Sequence, residues 1–259
     1  MVLRLALECE KIMYFCKKKI MTIDLFIPCF VDQFFPETGM NMIKLLEKAG
    51  ANVHYNPKQT CCGQMAFNSG FLDEAKKLGN KFLKDFPNDR PVVSPSASCT
   101  GYVRNYYHEL FHNTANHLEY KRLTRNMFEL SDFLVNKLRY TDFGAVFPHK
   151  ITFHDSCAGL REYGLKQEAR ILLSKVKGLE LVEMNDRHVC CGFGGTFSVK
   201  HEAISTAMAE QKVQNALDTE AEFIVSTDLS CLMHQEGYIN KLKLPIKTIH
   251  LADVLAAGW

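Results

Sequence analysis

Short apolar runs alternate along this chain with longer amphipathic ones. Residues 23–28, 53–55 and 91–93 in the first half, and 151–153, 179–182 and 223–225 in the second, have the length and composition of buried strands. Between them Met42, Ile43, Leu46 and Ala49 share one helical face, as do Phe71, Ala75, Leu78 and Phe82. The second half repeats this with Ala169, Leu172, Leu173 and Val176, then Ala209, Val213, Ala216 and Leu217. Strands alternating with helices of this length predict parallel βαβ units with right-handed crossovers. Residues 102–140 read as mostly helical and aromatic-rich, with Tyr102, Tyr106, Tyr107, Phe111, Phe128 and Phe133. Residues 143–149 link the halves, Gly144 and Pro148 acting as breakers.

The repetition extends to particular residues. Cys29 is followed by 31 residues and then Cys61-Cys62-Gly63, and 36 residues separate Cys62 from Cys99. Cys157 is followed by 32 residues and then Cys190-Cys191-Gly192, and 39 residues separate Cys191 from Cys231. Leu130-Ser131-Asp132-Phe133-Leu134 corresponds in the same way to Leu251-Ala252-Asp253-Val254-Leu255. Two copies with matched flanks indicate duplication. The expected architecture is therefore α/β: two tandem Rossmann-like lobes related by internal duplication, each with a small parallel sheet. Residues 1–21 are read as an N-terminal extension, with Met21 an alternative start; 22–143 form the first cysteine-rich domain and 144–259 the second.

Composition narrows the chemistry. The 259 residues are 47% hydrophobic and 23% charged, which supports a packed core and excludes a disordered or collagen-like chain. With 31 basic against 29 acidic residues there is no surplus of positive charge to hold nucleic acid. No apolar run reaches the ~18 residues of a transmembrane segment. Lys17, Lys18 and Lys19 follow an apolar stretch instead of preceding one, so no secretory signal is read. The expected setting is the reducing cytoplasm. There, ten cysteines in a chain with its own core point to metal or catalysis, not disulfides.

Each repeated cysteine follows a strand. In parallel sheets, ligands gather beyond the carboxyl ends of the strands, so thiols distant in sequence converge there. Helix N-termini and the glycines after each cysteine pair let backbone N–H groups approach anionic sulfur. The short Cys-x₂₋₄-Cys knuckles of most zinc sites are absent. Four thiolates per half suit an iron–sulfur cluster; zinc and metal-free redox thiols remain open on spacing alone. Cys9 and Cys16 lie outside the repeat. The run Gly192-Phe193-Gly194-Gly195 lacks the spacing of a dinucleotide-binding loop.

The doubled pattern Cys-x₃₁₋₃₂-Cys-Cys-Gly-x₃₅₋₃₈-Cys resembles the cysteine-rich CCG-domain family, to which part of heterodisulfide reductase belongs. Ile27-Pro28-Cys29, Gln59-Thr60-Cys61-Cys62-Gly63-Gln64, His154-Asp155-Ser156-Cys157, Cys190-Cys191-Gly192-Phe193 and Ser230-Cys231-Leu232-Met233-His234 carry the resemblance over about residues 22–258. The resemblance implies an oxidoreductase component holding iron–sulfur clusters of the [4Fe–4S] kind. It would pass electrons during oxidation of L-lactate to pyruvate, in a complex with partner proteins of lactate utilisation. The implied cofactor ligands are Cys29, Cys61, Cys62, Cys99, Cys157, Cys190, Cys191 and Cys231.

The heterodisulfide reductase pattern ends in Cys-x-x-Cys, whereas this chain has Tyr102 and His234 at the last position. His234 is thus a further ligand candidate, while His154 and Asp155 are candidates for cluster contact or proton relay. The ferredoxin-like domain of larger relatives is lacking, so a separate iron–sulfur protein is expected to exchange electrons with this one. No residue is singled out as catalytic; bond breaking at lactate falls to a partner. Two other classes stay in view: a metal-free thiol–disulfide oxidoreductase and a zinc-stabilised scaffold.

Overall fold

The structure, a computed structural model, describes residues 21–258. The expected N-terminal extension, with Cys9 and Cys16, falls outside these residues apart from Met21, which begins the first strand.

The first lobe runs β1 (Met21–Leu25), α1 (Cys29–Phe34), α2 (Pro36–Lys48), β2 (Ala51–Tyr55), α3 (Gln64–Asn68) and α4 (Leu72–Asp85). It continues through β3 (Val92–Ser94), α5 (Ala97–Phe111), α6 (His117–Asn126), β4 (Met127–Glu129) and α7 (Leu130–Asp132), which passes into a π-helical turn at Phe133–Leu138. The second lobe has β5 (Lys150–Phe153), a π-helical segment (Ala158–Tyr163), α8 (Glu168–Leu173), β6 (Glu180–Leu181), α9 (Phe197–Lys200) and α10 (Glu202–Leu217). It ends with β7 (Phe223–Ser226), α11 (Leu229–Leu242), β8 (Lys247–His250) and α12 (Leu251–Leu255).

Each lobe is built on a four-stranded sheet. The orders are β2-β1-β3-β4 and β6-β5-β7-β8, and every pairing is parallel. The α/β architecture read from the sequence is therefore present twice, with the same strand order. Each sheet has one strand more than the pattern indicates. β4 follows α6 without a turn residue, and β8 is an edge strand whose lysine and threonine weaken its apolar signal.

Three smaller differences concern element ends. β1 stops at Leu25, and residues 26–28 lead out of the sheet toward Cys29. Phe71, expected on a buried helix face, is 62% exposed at the start of α4. Val176 is buried but lies beyond the end of α8 at Leu173.

The central strands carry Ile23, Leu25, Val93, Ile151, Ile224 and Val225, all fully buried. These join the inner faces of α2, α8 and α12 in one apolar core that runs through both lobes. A second cluster, confined to the first lobe, is aromatic, with Phe26, Phe82, Phe86, Tyr102, Tyr107 and Phe111.

Polar bonds cross between lobes in a reciprocal way. Asp132 of the first lobe accepts from the Tyr163 hydroxyl of the second at 2.6 Å. Asp253, its repeat counterpart, accepts from Thr38 of the first at 2.8 Å. The helix packing has the same symmetry: α5 lies on the Ala158–Tyr163 segment and α11 on α1. Among the described residues, no helix is long and apolar enough to cross a membrane.

Candidate metal centres

Every repeated cysteine sits where a strand gives way to a loop or a helix. Cys29 is the first residue of α1 and Cys157 directly precedes the Ala158–Tyr163 segment. Cys99 and Cys231 lie in the first turns of α5 and α11, where unpaired N–H groups and the helix dipole favour anionic sulfur. Ser96 caps α5 by accepting from the Cys99 N–H at 3.4 Å.

The cysteine pairs are held by glycine. Gly63 and Gly192 both have φ of +94°, and a Cβ at Gly192 would stand 2.6 Å from the Ser205 carbonyl oxygen. Only glycine combines that backbone with that approach. Each then donates its N–H to the sulfur two residues earlier: Gly63 to Cys61 and Gly192 to Cys190, both at 3.4 Å. Gln59 accepts from the Ile27 N–H at 2.8 Å and so ties the first pair's loop to the strand exit leading to Cys29.

These placements bring the thiols together in two sets of four. In the first lobe, Cys61 is in hydrogen-bond reach of Cys29 and Cys62, and Cys62 of Cys99. In the second, Cys157 and Cys190 sulfurs are 3.8 Å apart, Cys190 reaches Cys191, and Cys191 reaches Cys231. All eight are free thiols. Cys62, Cys191 and Cys231 are buried, whereas Cys29 is exposed.

In each set the neighbouring thiols lower the proton affinity of one sulfur. Donation from Cys29 and Cys62, aided by the Gly63 N–H, lowers Cys61 to about 3. Donation from Cys157 and Cys191, aided by Gly192, lowers Cys190 to about 2. The donors Cys29, Cys62, Cys157 and Cys191 are raised by the same bonds and by burial. A soft cation displaces the remaining protons as it binds. Four convergent sulfurs with N–H donors behind them fit a thiolate-held metal or cluster.

The two sets adjoin. Phe30, next to Cys29, meets Phe193, two residues past Cys191, with ring centroids 5.9 Å apart. Ser69 donates to Thr196 at 3.4 Å, and Met65 packs against Gly195, so the two Cys-Cys-Gly loops touch across the lobe boundary.

The other candidate residues separate. Asp155 is held by Arg170 through two bonds of 2.9 Å and by Arg187 at 3.2 Å. Tyr102 is buried in the aromatic cluster. His234 pairs through Nε2 with the Ser205 hydroxyl at 3.1 Å. The histidine that meets the thiols is His154. One of its ring nitrogens lies within 4.8 Å of the Cys191 and Cys231 sulfurs, and all three residues are buried.

The chain's repeat is matched as such: the model of the cysteine-rich domain (CCG) aligns with residues 23–104 and again with 151–235. The chain belongs to the CCG cysteine-rich domain family. Among CCG proteins, lactate utilization protein A of Geobacillus kaustophilus (strain HTA426) is 41% identical over 238 residues, covering 92% of this chain and 99% of that protein. Its namesake in Geobacillus thermodenitrificans (strain NG80-2) is 40% identical over 235 residues, covering 91% and 98%. The fold is shared with a crystal structure of a hypothetical protein from Helicobacter pylori. There the TM-score is 0.58 and the identity 15%, over 92% of this chain and 49% of that one.

Proposed function

We propose that this chain is an iron–sulfur electron carrier in the oxidation of L-lactate to pyruvate. The observation that carries this reading is the doubled set of four converging thiols, two sets adjoining across the lobe boundary. The curated relatives named lactate utilization protein A, matched over nearly their full length, support the pathway.

Cys29, Cys61, Cys62 and Cys99 would hold one centre; Cys157, Cys190, Cys191 and Cys231 the other. Bound [4Fe–4S] clusters would supply one-electron redox chemistry at each site. Oxidising a 2-hydroxy acid to a 2-oxo acid releases two electrons and two protons, and two adjoining one-electron sites match that count. The chain's own residues donate N–H bonds to sulfur at Gly63 and Gly192 and shield the inner thiols from water. Cys29 is exposed, which gives the first site an edge open to a protein partner. The partners are the other proteins of a cytoplasmic lactate-utilisation complex, at least one a further iron–sulfur protein that takes or delivers the electrons.

A second reading rests on the 3.8 Å contact between Cys157 and Cys190. A thiolate beside a thiol can reduce a disulfide substrate, the pair giving up two electrons and the one remaining thiol proton to become a disulfide, while the second proton the substrate needs comes from solvent.

Anaerobic purification of the full chain separates these readings. Brown protein with iron and acid-labile sulfide in equal amounts, and a paramagnetic signal on reduction, is the expected result. Colourless protein that turns over a small disulfide supports the thiol reading, and protein holding zinc alone supports a scaffold.

A further inference from the structure

The two lobes place different residues behind their matched cysteines. Three residues before Cys29 stands Phe26; three before Cys157 stands His154. Both are fully buried. A second position changes with the first. The Cβ direction of Gly63 faces Ala75 and Leu78 of α4, and that of Gly192 faces Ser205 and Met208 of α10, so these helices are in register. The same helical step from Ala75 to Phe82 leads from Ser205 to Lys212. Phe26 and Phe82 form an edge-to-face pair with centroids 4.7 Å apart. The second lobe has exchanged this aromatic wall for an imidazole and an ammonium.

His154 is fully buried, and neither ring nitrogen makes a hydrogen bond of good geometry, the Arg187 carbonyl being the one backbone acceptor that interacts with the ring. Buried polar groups are almost always paired, so a poorly paired imidazole calls for an explanation. Its backbone is fixed, the N–H donating to Val225 at 2.8 Å and the carbonyl accepting from Ser226 at 3.0 Å. The ring is thus held at the Cys191 and Cys231 sulfurs, one nitrogen within 4.8 Å of both. Neutral imidazole is a common metal ligand and stands beside thiolate in some iron–sulfur centres.

We propose that His154 is an imidazole ligand of the centre held by the second lobe, taking one iron in place of the Cys191 or Cys231 thiolate beside it, so that the chain carries two chemically different centres, one all-thiolate and one with nitrogen. This rests on the reading that both four-cysteine sites hold iron. Lys212 agrees with it. The side chain is 1% exposed and donates to the Asp186 carbonyl at 2.5 Å; burial lowers its proton affinity, and the charges of Cys191, Asp186 and Cys190 oppose that. A buried cation beside the second site offsets thiolate charge, which nothing at Phe82 can do. Both exchanges favour electron acceptance at the second centre.

The test uses the anaerobically prepared full chain with its iron, unlabelled and with ¹⁵N-histidine, reduced and read by pulsed paramagnetic resonance. A strongly coupled nitrogen that changes with the isotope is expected in the unsubstituted protein. It should vanish in His154→Phe, which installs the first lobe's residue, and in His154→Gln, which keeps a polar side chain. The signal of the first-lobe centre should be the same in all three. Iron-loaded wild-type protein without a coupled histidine nitrogen overturns the inference and leaves the cluster reading standing. A coupling that survives both substitutions also overturns it. Protein that takes up no iron overturns both.

Discussion

The Asp228 carboxylate of the second lobe accepts the backbone N–H of Ser98 in the first at 3.0 Å. The same carboxylate accepts from the hydroxyls of Ser98 at 2.9 Å, Ser96 at 3.1 Å and Ser156 at 3.0 Å. It is fully buried, and burial raises its proton affinity despite these four donors. One side chain thereby joins the helix starts that carry Cys99 and Cys231 to the strand exit that carries Cys157. Asp228→Ala leaves these donors without their acceptor and should cost about 3 kcal/mol. Chemical denaturation measures it; an unchanged midpoint would show that the lobes are held by their apolar core alone.

The two four-cysteine sites are separate in the fold, so their ligands should act separately. Cys61→Ser and Cys190→Ser should each remove about half of the bound iron and sulfide, whereas Cys16→Ser should remove none. Loss of all iron from either of the first two would mean a single shared centre.

Gly192→Ala and Gly50→Ala make a matched pair. Both glycines have positive φ, +94° and +88°. An alanine Cβ at Gly50 meets nothing within 4 Å, so the left-handed backbone alone should cost about 1–2 kcal/mol. At Gly192 the Ser205 carbonyl is in the way, and the Cys190–Cys191 turn must shift as well. Gly192→Ala should be the less stable variant and should lose the second centre's iron, while Gly50→Ala keeps both centres.

Glu129 supplies a pH dependence. Burial raises its carboxyl to about 8, against the bonds it accepts from Ser131 and Asp132. A folded-state value above the unfolded one of 4.5 means that its contribution is fully present below about 4.5 and is lost as pH rises through about 8. The urea midpoint of the wild type should therefore fall between about pH 5 and 8 and level off above that. Glu129→Gln should flatten that slope, by a few kcal/mol at most. Parallel slopes in the two proteins would show that Glu129 titrates normally.

Much of this was legible in the sequence because duplication tests itself: the Cys29/Cys157, Cys61/Cys190 and Cys99/Cys231 matches fix where loops leave the sheets. The fourth strands were not legible. Met127–Glu129 joins helices on both sides without a breaker, so its apolar residues continue a helical pattern. Lys212 escaped for a different reason, because a lysine on a helix is almost never buried. His154 was a candidate for cluster contact, but nothing beside it in the sequence ranked it above Asp155. Aligning the halves through the residues before each first cysteine sets His154 opposite Phe26, a polar side chain in a core slot, and that contrast was the available signal. Asp155 looked as eligible as His154, but only the tertiary position of Arg170 takes it away from the sulfurs.

Asp132 and Asp253, matched by the repeat, each reach across to the other lobe, though their partners Tyr163 and Thr38 are not matched positions, so the contact resembles the two-fold interface of a homodimer without reproducing it. The chain resembles a dimer joined into a single polypeptide. A true homodimer must change both of its sites whenever one residue changes. Joining the copies lifts that constraint, and it is what allows one lobe to keep phenylalanines behind its sulfurs while the other places a histidine and a lysine there.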